Sequence, residues 1–393
     1  MSARVLRYTD PIEGFRGWLV YDGTDHQIAA GGCRIQPGLT EAMLAELASR
    51  MTLKQRILGL CVDGAKCGID YDPRSPGRDA ALRRFVRFLR DELRDRFSMG
   101  CDMGTRFDEL ERFARAEGVP SVKYAIKGAQ GLSDDEFFAR LRLLDEPIGM
   151  MTLSQRRAGH ALAHMVMAIA RAAGFQRKVT CALQGFGNLG RAAAYSLVEE
   201  NARVVAIADE FGCVADERGL NVPAMLATPY GTPVPATVAQ TRHLPSRIVA
   251  EIPCDVLVLA AGEDAIDPAQ TGSVAAPVVV VGANCGLRPL AEADLHRRGT
   301  LVIPDFIGGI GGSGSIEAIF GTRERPTGKE VLDLVAGMMQ ALAADLTDRA
   351  RRADVSVRRV ANEMAARSSV AGDRPYGHSP YLIAQTTRRV NPS

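Results

Sequence analysis

Two lysines and one aspartate have settings that could support acid–base chemistry. Lys54 closes the run Met51-Thr52-Leu53-Lys54, and Lys66 follows twelve residues later in Asp63-Gly64-Ala65-Lys66-Cys67-Gly68. Glycine and alanine leave Lys66 unshielded, so a substrate can approach it closely. An amine among apolar neighbours resists being charged, which suits a base working near neutral pH. The plain alternative is a surface lysine on a turn. Asp102 stands in Met99-Gly100-Cys101-Asp102-Met103-Gly104-Thr105, a lone acid between glycines. Its plain alternative is a turn aspartate.

A second constellation points to a dinucleotide. The β-like run from Val179 opens into Gly185-Phe186-Gly187-Asn188-Leu189-Gly190, a helix is predicted over 191–200, and the strand Arg203–Ala208 closes at Asp209. The first two glycines allow a tight turn and close approach of a pyrophosphate to a helix N-terminus, and the third allows close helix–strand packing. Asp209 lies 19 residues beyond Gly190, where an acid accepts hydrogen bonds from an adenosine ribose. Such an acid repels a 2′-phosphate, so the cofactor reading leans to NAD, with NADP second. Further buried-strand runs, 255–261, 278–284 and 301–305, argue for a parallel, doubly wound sheet. Ala261 and Asn284 end two of them and are candidate cofactor neighbours, Asn284 beside the nicotinamide.

The elements that must position these residues are partly legible. Gly17–Tyr21 reads as a strand, with 26–30 as its hairpin partner. Thr40 is expected to cap a helix that carries Met43, Leu44, Leu47 and Met51 at helical spacing and leads to Lys54. Helices are expected over 79–97, 107–117, 154–173, 289–298, 328–347 and 355–367. Residues 119–150 read as a loop-rich link, 306–315 (FIGGIGGSGS) as a flexible hinge or pocket wall, and 370–393 as loosely structured.

Composition narrows the class. The 393 residues suffice for two domains, and a net charge of +2 gives no argument for nucleic acid. There is no apolar run of membrane-spanning length, and the N-terminus lacks a signal-peptide core. Eight scattered cysteines without a CxxC pair read as reduced thiols of a cytoplasmic protein. Six histidines without a ligand-like spacing give no metal site.

Taken in order, Gly31-Gly32-x-Arg34, MTLK at Lys54, GAKCGI at Lys66, DMGT at Asp102, GFGNLG, the GAN ending at Asn284 and Pro304-Asp305 resemble the glutamate/leucine/phenylalanine/valine dehydrogenases, which oxidatively deaminate amino acids. The likeness runs from about Gly31 to Ile319. It implies an N-terminal α/β substrate-binding and oligomerisation domain over 1–150, joined by C-terminal helices from about 345–393. It implies a Rossmann domain over 151–344, an active-site cleft between the two, and a homo-oligomer. By resemblance, Lys54 pairs with the substrate α-carboxylate, oriented with help from the Gly31-Gly32 backbone; Lys66 is the catalytic lysine; Asp102 shuttles protons on the amino group.

The glutamate enzymes carry a lysine immediately before the glycine pair and a serine late in the glycine-rich wall, both binding the distal carboxylate. Here those positions hold Ala30 and Ile316. Gly100 and Ser313 are small. A bulky apolar amino acid, aromatic or branched aliphatic, is therefore the expected substrate, interconverted with its 2-oxo acid and ammonia, in specialised biosynthesis. Asp63 and Cys67 replace glycines of the family pattern, Gly309 replaces an asparagine, and the Thr-Gly-x-Gly-Val run opening the long helix is not evident. Two alternatives follow: a non-catalytic dinucleotide-binding homologue, and a reductase of an imine or 2-oxo acid that uses no free ammonia.

Overall fold

The computed structural model describes residues 4–238, 242–368 and 372–390. The chain forms two compact units. The first comprises residues up to 142 with 320–323 and 365–380; the second comprises 143–319, 324–364 and the chain after 380. No helix among the described residues is long and apolar enough to cross a membrane.

The first unit is built on a five-stranded sheet of β1 (Arg4–Thr9), β2 (Arg16–Tyr21), β3 (Ala29–Ile35), β4 (Asp63–Ile69) and β5 (Phe97–Cys101), in the order β1-β2-β4-β3-β5. The expected hairpin of 17–21 with 26–30 does not form. β4 lies between the two strands, antiparallel to β2 and parallel to β3. The segment read as a glycine turn is thus an inner strand, buried at all seven residues. Its glycines serve close packing: a Cβ at Gly64 would lie 2.3 Å from Thr52 N, and one at Gly68 2.5 Å from Arg34 O. The helix Glu41–Leu58 begins as expected, with Thr40 Oγ1 accepting from Met43 N. The helix predicted over 79–97 is two, Arg78–Phe88 and Arg90–Asp95, with Leu82, Phe85, Val86 and Leu89 buried. Residues 119–150 are more regular than expected, holding helices Ala125–Gln130 and Asp134–Leu141 and the start of a small hairpin, β6 (Pro147–Ile148) with β7 (Met151–Thr152).

The second unit carries a seven-stranded sheet of β8 (Thr180–Gln184), β9 (Arg203–Asp209), β10 (Gly212–Ala215), β11 (Arg242–Leu244), β12 (Val256–Leu259), β13 (Val278–Val281) and β14 (Leu301–Ile303), in the order β11-β10-β9-β8-β12-β13-β14. β9, β8, β12, β13 and β14 are parallel, and β10 and β11 extend one edge antiparallel. The chain moves outward from β8 to β9 and then restarts on the other side at β12, so strand order reverses beside β8.

The segment 306–315 is not a flexible hinge. It belongs to helices Asp305–Gly308 and Gly311–Phe320, with Phe306, Ile307 and Ile310 fully buried. Its glycines again answer packing: a Cβ on Gly308 would meet Val281 O at 2.2 Å and one on Gly311 the Ala161 methyl at 2.2 Å. Of the stretch 345–393 assigned to the first unit, residues 365–380, which begin at the end of the helix Val357–Arg367, cluster with it, and 345–364 cluster with the second. The helix Gly328–Ala353 is continuous and buries Val331, Val335, Met339, Leu342 and Leu346 along one stripe, so its second half stays with its first against the helix Leu153–Ala172. Residues 380–390 of the tail are helical rather than loose; 370–371 and 391–393 of that expectation lie outside the described residues.

Candidate active site

In the first unit the sheet brings Lys66 and Asp102 together. Lys66 Nζ lies 2.8 Å from Asp102 Oδ2, and the lysine is 2% exposed. Arg34 Nε bonds the same oxygen at 2.9 Å and is equally buried. Burial by itself raises the Asp102 carboxyl, but the charges and hydrogen bonds of Lys66 and Arg34 outweigh it and hold the group well below the usual carboxylate range. Lys66 is an inner-strand residue and not a surface lysine on a turn, whereas Asp102 does open a turn and is ion-paired as well.

Glycine clears the space beside this pair. Gly32 is paired with Gly100 across β3 and β5. A Cβ on Gly32 would stand 3.2 Å from Lys66 Nζ and 3.0 Å from Asp102 Cβ, whereas one on Gly100 would find only Gly31 O, at 3.7 Å. Gly31 answers a backbone demand instead, since its Cβ would strike Ala65 O at 1.7 Å. Ala30 pairs with Gly64 on one side and Ser98 on the other. The helix Glu41–Leu58 crosses this face at Gly64, and Lys54, 4% exposed, lies on its buried stripe with Leu47, Ala48 and Leu58.

The departures from the family pattern point elsewhere. Asp63 accepts from His26 N through Oδ2 at 3.1 Å and faces Arg96, so it does not bear on Lys66; burial raises its carboxyl. Cys67 is fully buried against Met99, and burial pushes its thiol well up, leaving it inert.

Residues Gly185 to Gly190 lie where strand order reverses, the position at which doubly wound sheets bind ligands. Gly185 has φ +103, and a Cβ there would meet the Ala261 methyl at 2.4 Å; one on Gly190 would meet Gly185 O at 2.0 Å. Gly187, N-cap of the helix Asn188–Glu199, has open space over it, its nearest neighbour being the Tyr230 hydroxyl at 3.7 Å from a Cβ there. Phe186 is buried and Asn188 and Leu189 open the helix. Two tight glycines and one open to the helix N-terminus fit a pyrophosphate. The Asp209 carboxylate accepts from Phe211 N and Gly212 N through Oδ1 and from Val234 N through Oδ2, so it organises the β9–β10 turn. Asn284 follows β13 and precedes Cys285, a non-glycine residue at φ +56 whose N–H is held by Asp305 Oδ2 at 2.9 Å. Ser313 and Ile316 lie on the helix Gly311–Phe320 of this unit, Ile316 6% exposed. Sequence reasoning did not single out Arg34 as part of the site, although Gly31-Gly32-x-Arg34 contained the signal. Tyr230, whose hydroxyl stands beside Gly187, lies in no motif that marks it.

A doubly wound sheet with a glycine turn at its reversal point, in a chain whose other unit sets a buried lysine on a carboxylate, defines a nicotinamide-dependent oxidoreductase. Residues 149–374 match the Glutamate/Leucine/Phenylalanine/Valine dehydrogenase family, and residues 1–116 match the Glu/Leu/Phe/Val dehydrogenase dimerisation domain. The chain belongs to this family and is an NAD(P)-dependent amino acid dehydrogenase acting on the CH–NH2 group. It is 29% identical over 315 residues to the NADP-specific glutamate dehydrogenase A1 of Halobacterium salinarum, covering 77% of this chain and 71% of that one. It is 28% identical over 298 residues to the NAD-specific glutamate dehydrogenase of Staphylococcus aureus, covering 72% and 66%. The Leu-bound hetero-hexameric glutamate dehydrogenase of Thermus thermophilus superposes with a TM-score of 0.73 at 26% identity, covering 93% of this chain and 87% of that one.

Proposed function

We propose that Lys66 and Asp102 are the acid–base pair of a reversible oxidative deamination, and that the substrate is an L-amino acid with a bulky apolar side chain. The observation that carries this reading is the 2.8 Å contact of buried Lys66 Nζ with the partly exposed Asp102 Oδ2, near a Gly100 whose Cβ position is open. Lys54 receives the α-carboxylate, a fixed anion. The ionised Asp102 accepts a proton from the substrate amino group, and Lys66 stabilises charge developing at the α-carbon's nitrogen or oxygen and orients the attacking water. Gly185–Gly190, Asp209, Ala261 and Asn284 would hold the dinucleotide, which would supply the acceptor for the hydride of the α-carbon. In reductive amination the same groups return their protons in reverse order. Asp209 at the ribose position favours NAD over NADP.

Ala30 supports the apolar side chain, since no cation stands at that position for a second carboxylate. One observation favours a second reading. Lys123, 4% exposed, donates to Ser98 Oγ at 3.3 Å, and Ser98 is the strand neighbour of Ala30. An ammonium beside that row suits an acidic side chain, as in the glutamate-dehydrogenase relatives.

Lys66→Ala and Asp102→Asn test the chemistry. Each is expected to lower kcat by about 10²–10⁴-fold, with NADH affinity, read by fluorescence titration, within about twofold of wild type. Turnover near the wild-type rate in either variant removes that residue from the reaction.

A further inference from the structure

Asp102 is held by more than Lys66. Its backbone N–H donates to Thr105 Oγ1 at 3.0 Å, and that hydroxyl bonds Cys33 O at 2.8 Å, tying the turn to β3. Thr105 N returns to Asp102 O at 3.1 Å, and Ile35 N bonds Met103 O at 3.0 Å. Gly104, at φ +77, fits against β3 with its Cβ position 2.6 Å from Ile35 O, and Arg78 Nη2 donates to its carbonyl at 2.6 Å. Every residue of the turn Asp102–Thr105 is thus anchored through its backbone. The side chain is set by Arg34, whose guanidinium bonds Asp102 Oδ2 through Nε and Gln36 Oε1 through Nη1 at 3.3 Å.

A planar guanidinium braced at two points fixes both the place and the direction of the charge it presents. A lysine–carboxylate contact alone has neither property, because the ammonium is a point charge on a flexible stem. Two cations on one oxygen also tie the basicity of the carboxylate to both partners.

We propose that Arg34 is the positioning residue of the centre: it orients the Asp102 carboxylate on Lys66 and sets the pH range over which that carboxylate accepts the substrate's proton. This inference rests on the assignment of Asp102 to the proton transfer. The charged and titratable groups facing Asp102 among the described residues are Arg34 from β3, Lys66 from β4, and, weakly, the buried thiol of Cys67 behind it. Arg34 does not itself touch the reacting atoms.

The test compares pH profiles of kcat in Arg34→Gln, Arg34→Lys and Asp102→Asn with wild type. Removing the guanidinium leaves one cation on Asp102, so its carboxyl, well below the usual carboxylate range in the wild type, rises toward that range and an acid limb moves up into the assayed pH range. Arg34→Gln is expected to show that shift with kcat lowered at least about tenfold and KM for the 2-oxo acid changed less. Arg34→Lys keeps a charge without the fork, so the limb is expected to return toward wild type while kcat stays depressed. A structural role alone moves stability and not the limb. If Arg34→Gln does not fold, Arg34→Lys carries the test: wild-type kcat with a wild-type limb overturns the proposal. So does a folded Arg34→Gln with an unshifted limb while Asp102→Asn is inactive. Full activity in Asp102→Asn overturns the assignment of Asp102 itself, and with it the premise.

Discussion

His160 shows how far burial governs single residues in this chain. It lies on the helix Leu153–Ala172, with its ring nitrogens on Ser196 Oγ and Leu332 O, each at 3.2 Å. Burial first, then the neighbouring His164, lowers its pKa to about 3. In the unfolded chain the ring protonates near pH 6.5. Between about 6.5 and about 3 the unfolded state therefore binds more protons. The stability of the buried neutral ring is whole above about 6.5 and falls away as pH drops toward 3. His160→Gln retains hydrogen-bonding capacity without a titrating ring. Its Tm is expected to fall less steeply than wild type between pH 6.5 and 4, and a parallel fall would show that other groups govern acid stability. The Lys66–Asp102 contact obeys the same logic of burial, yet their meeting was not legible in the sequence. They lie 36 residues apart on β4 and beyond β5, and only the insertion of β3 between those strands sets them side by side. What the sequence did carry was each residue's small-residue setting, which the structure uses chiefly for close packing, Gly64 against Thr52, Gly68 against Arg34 O and Gly104 against Ile35 O, with Gly100 left open.

At the scale of elements, the longer helices were readable because their apolar periodicity is a local property; Thr40, Met43, Leu44, Leu47 and Met51 define one without reference to the rest of the fold. The glycine-rich stretches were not. Glycine permits a turn, but it also permits backbone to approach backbone, and a single sequence does not say which is used. Residues 63–68 and 306–315 use the second property. The pairing of β2 with β4 rather than β3 is likewise a tertiary choice, made because β4 can be buried on all sides. Gly64→Ala measures the point. Its Cβ must displace Thr52 N and Ala48 O, both within 2.4 Å, which moves the helix Glu41–Leu58 off β4. The expected cost is about 1–3 kcal/mol, seen as a lower Tm. Because Lys54 rides on the same helix, KM for the 2-oxo acid is expected to rise as well. A variant with unchanged Tm would mean that the helix and strand have slack at this crossing.

At the scale of the whole molecule the open question is which amino acid is consumed, and the first unit contains opposing features. Ala30 withdraws the lysine that a second carboxylate would require, while Lys123 places a buried ammonium on the neighbouring row at Ser98. Desolvating a carboxylate without a cation costs several kcal/mol, so the balance between these features is visible as a preference of many-fold rather than as a shade of affinity. The measurement is NADH oxidation in the presence of ammonia with phenylpyruvate, indolepyruvate, 4-methyl-2-oxopentanoate and 2-oxoglutarate. If Ala30 dominates, a bulky apolar oxo acid is turned over and 2-oxoglutarate is not, and Lys123→Met leaves that preference in place. If Lys123 dominates, 2-oxoglutarate is the best of the four and Lys123→Met removes it selectively. NADH oxidation that proceeds equally well without ammonia would instead identify a 2-oxo acid reductase, since Asp102 would then have no amino group to serve.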